Sequence, residues 1–135
     1  MAQKVGWKDD HTLDHMQSNS TESNEMKRVI IESPYAGDIP KNTRYLRACM
    51  HDCIVNHDES PFASHGLYTQ PGVLIDEDIH ERELGIQAGF LWRSVADKTV
   101  VYCDLGRSRG MKYGIEHAKS FNHPIEYRTL GGEWK

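Results

Sequence analysis

Lys98-Thr-Val-Val-Tyr-Cys103 runs directly into Asp104-Leu105-Gly106-Arg107-Ser108-Arg109-Gly110-Met111. A β-branched apolar strand ends there on an acid and turns through Gly-x-Ser-x-Gly into a helical stretch. Such a turn presents backbone N–H groups and a hydroxyl at a helix N-terminus, where an anion such as phosphate is favoured. A second loop of the same kind follows an earlier strand. Arg28-Val-Ile-Ile-Glu-Ser33 leads into Pro34-Tyr35-Ala36-Gly37-Asp38 and then Asn42. Ligands of open parallel sheets lie at the carboxyl ends of strands, so the two loops imply one shared pocket.

Working outward, the apolar periodicity predicts four strands alternating with three helices. The strands are Arg28–Ser33, Pro61–Ser64, Thr99–Cys103 and Ile125–Arg128. The helices run from about Asn42 to Asn56, Ile79 to Val95 and Gly110 to Phe121, with Asn42 as the N-cap of the first. This β-α-β-α-β-α-β order predicts an α/β fold: a small open parallel sheet, flavodoxin- or Rossmann-like, with right-handed crossovers and helices on both faces. His65 to Asp78 is a long irregular stretch, of the kind that forms lids and interfaces. Gly85 and Gly89 make the second helix flat on one side, and with Trp92 they suggest packing at a subunit boundary.

The 135 residues allow one domain. Residues 1–26 are polar and without apolar periodicity, which predicts a flexible tail and confines the packed domain to 27–135. A domain of this size often completes its core or its site by association, so a homodimer or higher homo-oligomer is expected. Net charge is −4 and the basic residues are scattered among acids, which argues against nucleic acid as a partner. No apolar run approaches a membrane span and no hydrophobic signal core opens the chain, so no membrane is expected and the reading is cytoplasmic. Cys49, Cys53 and Cys103 are odd in number. The first two, one helical turn apart, read as small core residues rather than metal ligands, and no metal site is expected.

The loops resemble those of the nucleoside 2-deoxyribosyltransferase-like superfamily, particularly its small bacterial and phage-borne members. The likeness spans about Lys27 to Trp134. It is carried by Ser33-Pro34-Tyr35-x-Gly37-Asp38 with Asn42 and Tyr45, by Ser64-His65 and Tyr68, by Arg82-x-x-Gly85-Ile-x-Ala-Gly89-x-x-Trp92, and by Asp104-x-Gly106-x-Ser108-x-Gly110-Met111. The resemblance implies a nucleoside or nucleotide ligand, cleavage of its N-glycosidic bond, and no cofactor. It also implies a glutamate nucleophile on the helix after the third strand, and counting from Gly110 that residue falls at position 114. Here it is Gly114. Glu116 lies about 200° further round the helix and does not replace it.

The remaining polar loop residues then divide the work. Ser108, with Gly106, Gly110 and Met111, is expected to hold phosphate. Tyr35, Gly37, Asp38 and Asn42 are placed against base and sugar, Asn42 mainly as a cap. Ser64 and His65 follow the second strand at the same sheet edge, where His65 is expected to meet phosphate or the leaving base near its ordinary pKa. Asp104 and Asp38 are the candidate catalytic carboxylates. Arg82 can latch the long loop through Asp76, Glu77 or Asp78. Two readings stay open: a binder of a nucleoside 5′-monophosphate or related nucleotide that cleaves its glycosidic bond, and a non-catalytic sensor or sequestering protein for such a ligand.

Overall fold

The computed structural model describes residues 25–132 and 134. All but the last two residues of the expected tail lie outside the described residues. The elements are β1 (Lys27–Glu32), α1 (Ile39–His51, continued by a π turn over Asp52–Asn56), β2 (Glu59–Phe62), α2 (Ser64–Leu67), α3 (Ile79–Leu91, continued by a 3-10 turn over Trp92–Val95), β3 (Lys98–Tyr102), α4 (Arg109–Ser120) and β4 (Ile125–Arg128). The strands form one parallel sheet in the order β2-β1-β3-β4, the α/β architecture read from the alternation.

β3 is buried from Thr99 to Tyr102, as a central parallel strand covered on both faces should be. Side-chain alternation divides the core. Val29, Ile31, Val100 and Tyr102 pack with Tyr45, Leu46, Cys49 and Cys53 of α1. Val101 packs on the opposite face with Met111 and Ile115 of α4. Cys49 and Cys53 are thus core residues.

Three boundaries differ from expectation by two residues or more. α1 starts at Ile39 because Asp38, not Asn42, is its N-cap, accepting from Lys41 N at 3.2 Å, and Pro40 suits a first turn whose N–H has no helical partner. β2 starts two residues early, at Glu59, because that carboxylate is drawn inside by charge. Arg128 Nη1 and Nη2 each lie 3.0 Å from a Glu59 oxygen, and Lys98 Nζ lies 3.0 Å from the same group. β2 also ends early, since α2 already begins at Ser64.

Gly85 and Gly89 are used inside the chain. A Cβ at Gly89 would lie 2.6 Å from Ser64 Oγ, and one at Gly85 would lie 3.0 Å from Leu74 Cδ1. Their flatness lets α3 close against α2 and the long loop. The loop is latched where expected, with Arg82 Nη1 3.6 Å from Asp76 Oδ2. No helix among the described residues is long and apolar enough to cross a membrane.

Candidate functional site

The chain leaves β1 toward β2 on one side and returns to β3 on the other, so the order in which strands are added reverses between β1 and β3. A cavity of about 190 Å³ lies at that switch point, where open α/β sheets bind ligands. β1 supplies Glu32 and Ser33, α2 supplies Ser64, His65 and Tyr68, and α3 supplies Arg82, Gly85, Gly89 and Phe90. α4 closes it with Ser108, Arg109, Gly110, Met111 and Gly114.

Glu32 ends β1 on the same face as Ile30 and enters this cavity. Arg93, from the 3-10 turn after α3, is 2% exposed and places Nη2 3.1 Å from Glu32 Oε2. Its other donors are also committed, Nη1 to Thr99 Oγ1 at 2.6 Å and Nε to His117 Nδ1 at 3.1 Å. Thr99 Oγ1 in turn lies 3.0 Å from His123 Nδ1, whose Nε2 reaches Ala96 O. An arginine fixed at three points is a rigid counter-charge. Burial nevertheless outweighs its attraction and raises the Glu32 carboxyl to about 7.

Position 114 is what admits this carboxylate. A Cβ built on Gly114 would overlap Glu32 Oε2, lying 2.5 Å from Cδ and 2.6 Å from Oε1. No side chain fits at 114 while Glu32 holds this pose. The helix position at which the sequence lacks a glutamate is therefore filled by a glutamate from the neighbouring strand.

Ser33 and His65 form the second polar pair, with Oγ and Nε2 2.7 Å apart. Burial lowers the His65 pKa to about 4. The imidazole is therefore neutral at pH 7, able to donate or accept a hydrogen bond, and its pKa lies well below the ordinary value expected from the sequence. At the far wall Ser108 caps α4, its Oγ accepting from Met111 N at 3.2 Å. The N–H groups of Arg109 and Gly110, in the first turn, have no helical acceptor.

The sequence-derived residues separate into two groups. Tyr35, Ser64, His65, Ser108, Gly110 and Met111 all line the cavity. The others shape the loops behind it. Gly37 and Gly106 take positive φ, +103° and +84°, where glycine is favoured. Asn42 is buried inside α1 and donates Nδ2 to Tyr35 O and Ala36 O at 2.9 and 3.1 Å, fixing the loop that carries Tyr35.

Neither expected catalytic carboxylate lines the cavity. Asp38 caps α1. Asp104 accepts from Tyr45 Oη at 2.5 Å, from Leu130 N at 2.9 and 3.0 Å and from Gly131 N at 3.2 Å, which ties the segment after β4 to the sheet edge. Three carboxylates line the cavity; Asp76 and Glu81 hold the long loop through Arg82 and Ile75 N, and the third is Glu32, for which the sequence held a signal. It is an acid that follows the apolar run Val29–Ile31 at the carboxyl end of the strand. Arg93 carried a weaker one, as a lone charge between the apolar positions Leu91, Trp92 and Val95.

Comparison with known proteins gives two matches. A solved structure of the 2-deoxyribosyltransferase from the psychrotolerant bacterium Bacillus psychrosaccharolyticus superposes with a TM-score of 0.54 at 14% identity, covering 78% of this chain and 74% of that one. That is a distant fold relationship. No curated protein matches the sequence. The family model described as Domain of unknown function (DUF7768) matches residues 27–128, from the first residue of β1 to the last of β4, and the chain belongs to that family.

Proposed function

We propose that the switch-point cavity binds a nucleoside 5′-monophosphate or a related nucleotide, and that the site cleaves its N-glycosidic bond. The observation that carries this reading is the division of the cavity walls. One side offers the first turn of α4, with Ser108, Arg109 and Gly110, and Arg82 of α3. Helix-start N–H groups and guanidinium groups are what a phosphate requires. Tyr35, Phe62, Tyr68 and Phe90 supply aromatic faces on which a base can stack. The sugar then lies beside Glu32 and the Ser33–His65 pair. The matched structure adds support, being that of a 2-deoxyribosyltransferase described as a biocatalyst for nucleoside synthesis.

A second reading, a non-catalytic sensor or sequestering protein, is favoured by Gly114, which leaves α4 without a carboxylate at the position that faces the cavity. Calorimetric titration with the common ribo- and deoxyribonucleoside 5′-monophosphates, and with the matching nucleosides, tests the binding. A monophosphate is expected to bind at least about tenfold more tightly than its nucleoside, the scale of one charge-assisted contact. Ser108→Asp should remove that advantage, because it sets a negative charge at the helix start. Absence of saturable binding by every monophosphate refutes both readings. Binding without release of free base establishes the second.

A further inference from the structure

The carboxylate of Glu32 lies flush with the backbone of α4, in the volume that a Cβ at 114 would take. A glutamate rooted at 114 would carry its carboxyl carbon about 2.5 Å beyond that Cβ, the separation of two carbons joined through a third. Relative to a carboxyl borne by the helix, that of Glu32 is set back by nearly the width of one water molecule. Arg93 holds Oε2 at 3.1 Å, and among the described residues no donor engages Oε1.

We propose that Glu32 is the general base of the site: its Oε1 activates a water molecule held between it and the anomeric carbon of the bound nucleotide. The bond is then hydrolysed in a single displacement with inversion. This inference rests on the nucleotide reading above. The water oxygen forms the new bond to the anomeric carbon while the C–N bond breaks, its electron pair passing to the base nitrogen. Glu32 Oε1 takes the proton that the water loses. The departing nitrogen takes one from solvent, and Glu32 afterwards returns its own, so the sum is nucleotide plus water giving free base plus sugar phosphate.

The setback decides between base and nucleophile. A carboxylate that must contact the anomeric carbon leaves no room for water, whereas one that activates water needs that room, and room for a water is likewise what distinguishes inverting from retaining glycosidases. Arg93 positions the carboxylate from the side away from Oε1. The elevated pKa suits the role as well, since a general base works best when its pKa lies near the working pH.

The test uses the full chain and the monophosphate that binds best in the calorimetric panel. Wild type should release free base, fresh product examined by NMR should be the anomer opposite to the substrate, and a second free base added to the reaction should yield no exchanged nucleotide. Glu32→Gln should slow release by about a hundredfold or more, the scale of losing a positioned base, with nucleotide affinity unchanged. A product of retained configuration, base exchange, or Glu32→Gln turning over at the wild-type rate overturns the inference. So does binding without any release, which leaves the binding reading intact. The stereochemical result is read on wild type and stands even if the variant does not fold. Failure of every monophosphate to bind overturns the nucleotide reading itself.

Discussion

Gly114→Ala is a substitution on which two physical expectations disagree in sign. On helix propensity alone, replacing an interior glycine of α4 by alanine stabilises by about 1 kcal/mol. The structure predicts the opposite. The new Cβ would overlap Glu32 Oε2 and lie 2.5 Å from Cδ and 2.6 Å from Oε1, so the carboxylate must shift toward the cavity that it lines. Forcing the carboxylate aside costs about 1–3 kcal/mol as overpacking. Separating it from the buried guanidinium of Arg93 adds about 3 kcal/mol or more if the pair breaks outright. Overpacking at its middle value of about 2 kcal/mol, less about 1 kcal/mol of propensity, leaves a net loss of about 1 kcal/mol, and rupture of the ion pair raises it to about 4 kcal/mol; for a domain of this size that lowers Tm by roughly 4–20 °C. Thermal and urea unfolding measure it, and a double-mutant cycle isolates the cause. In a Glu32→Ala background the same substitution should be neutral or stabilising, giving a coupling of about 2 kcal/mol or more. A single mutant as stable as wild type, or a coupling near zero, refutes the placement of Glu32 over Gly114.

Two further outcomes follow from exposed and buried groups. Leu91 and Val95 are 76% and 55% exposed at the C-terminal end of α3 and in its 3-10 turn, so we propose that this end of the helix associates with a second copy; light scattering should show a dimer or larger, and Leu91→Glu should shift it toward monomer, whereas a wild-type monomer at high concentration contradicts the proposal. The pH dependence of stability should contain two opposed slopes. Glu32, whose folded pKa of about 7 lies above its ordinary value, contributes stability below pH 4.5 that is lost as pH rises to 7. His65, lowered to about 4, contributes stability above pH 6.5 that is lost as pH falls to 4. Each amounts to about 3 kcal/mol across its window, so the two largely cancel in wild type. Unfolding measured from pH 4.5 to 8 should show Glu32→Gln gaining about 3 kcal/mol relative to wild type as pH rises, and a constant difference between the two proteins disproves the raised pKa.

The strand-helix order was legible because each element repeats its signal over several residues. β3 is four consecutive buried residues and α4 a capped amphipathic run, so an error at one end leaves the element intact. Boundaries were less legible because single polar groups set them. The start of α1 passed from Asn42 to Asp38 when Asn42 turned inward to hold Tyr35 O and Ala36 O, and β2 moved two residues toward the N-terminus, where Glu59 meets Arg128, a partner 69 residues distant. No local rule pairs such residues.

The site shows the same division. Loop residues that face the cavity from a strand end, such as Tyr35, His65 and Ser108, follow from topology alone. Asp104 also stands at a strand end, but its carboxylate is consumed by Tyr45 and by two backbone N–H groups that arrive from beyond β4. Glu32 and Gly114 are the reverse case. Each read alone is unremarkable, an acid closing a strand and a glycine inside a helix, and counting along α4 finds only an absent carboxylate. Their relation exists only in three dimensions, where a side chain from β1 enters the space that α4 leaves open and Arg93 fixes it there. A motif records which chain position carries a group, whereas the chemistry depends on where that group stands in the cavity, so a carboxylate missing from one element can be supplied by its neighbour.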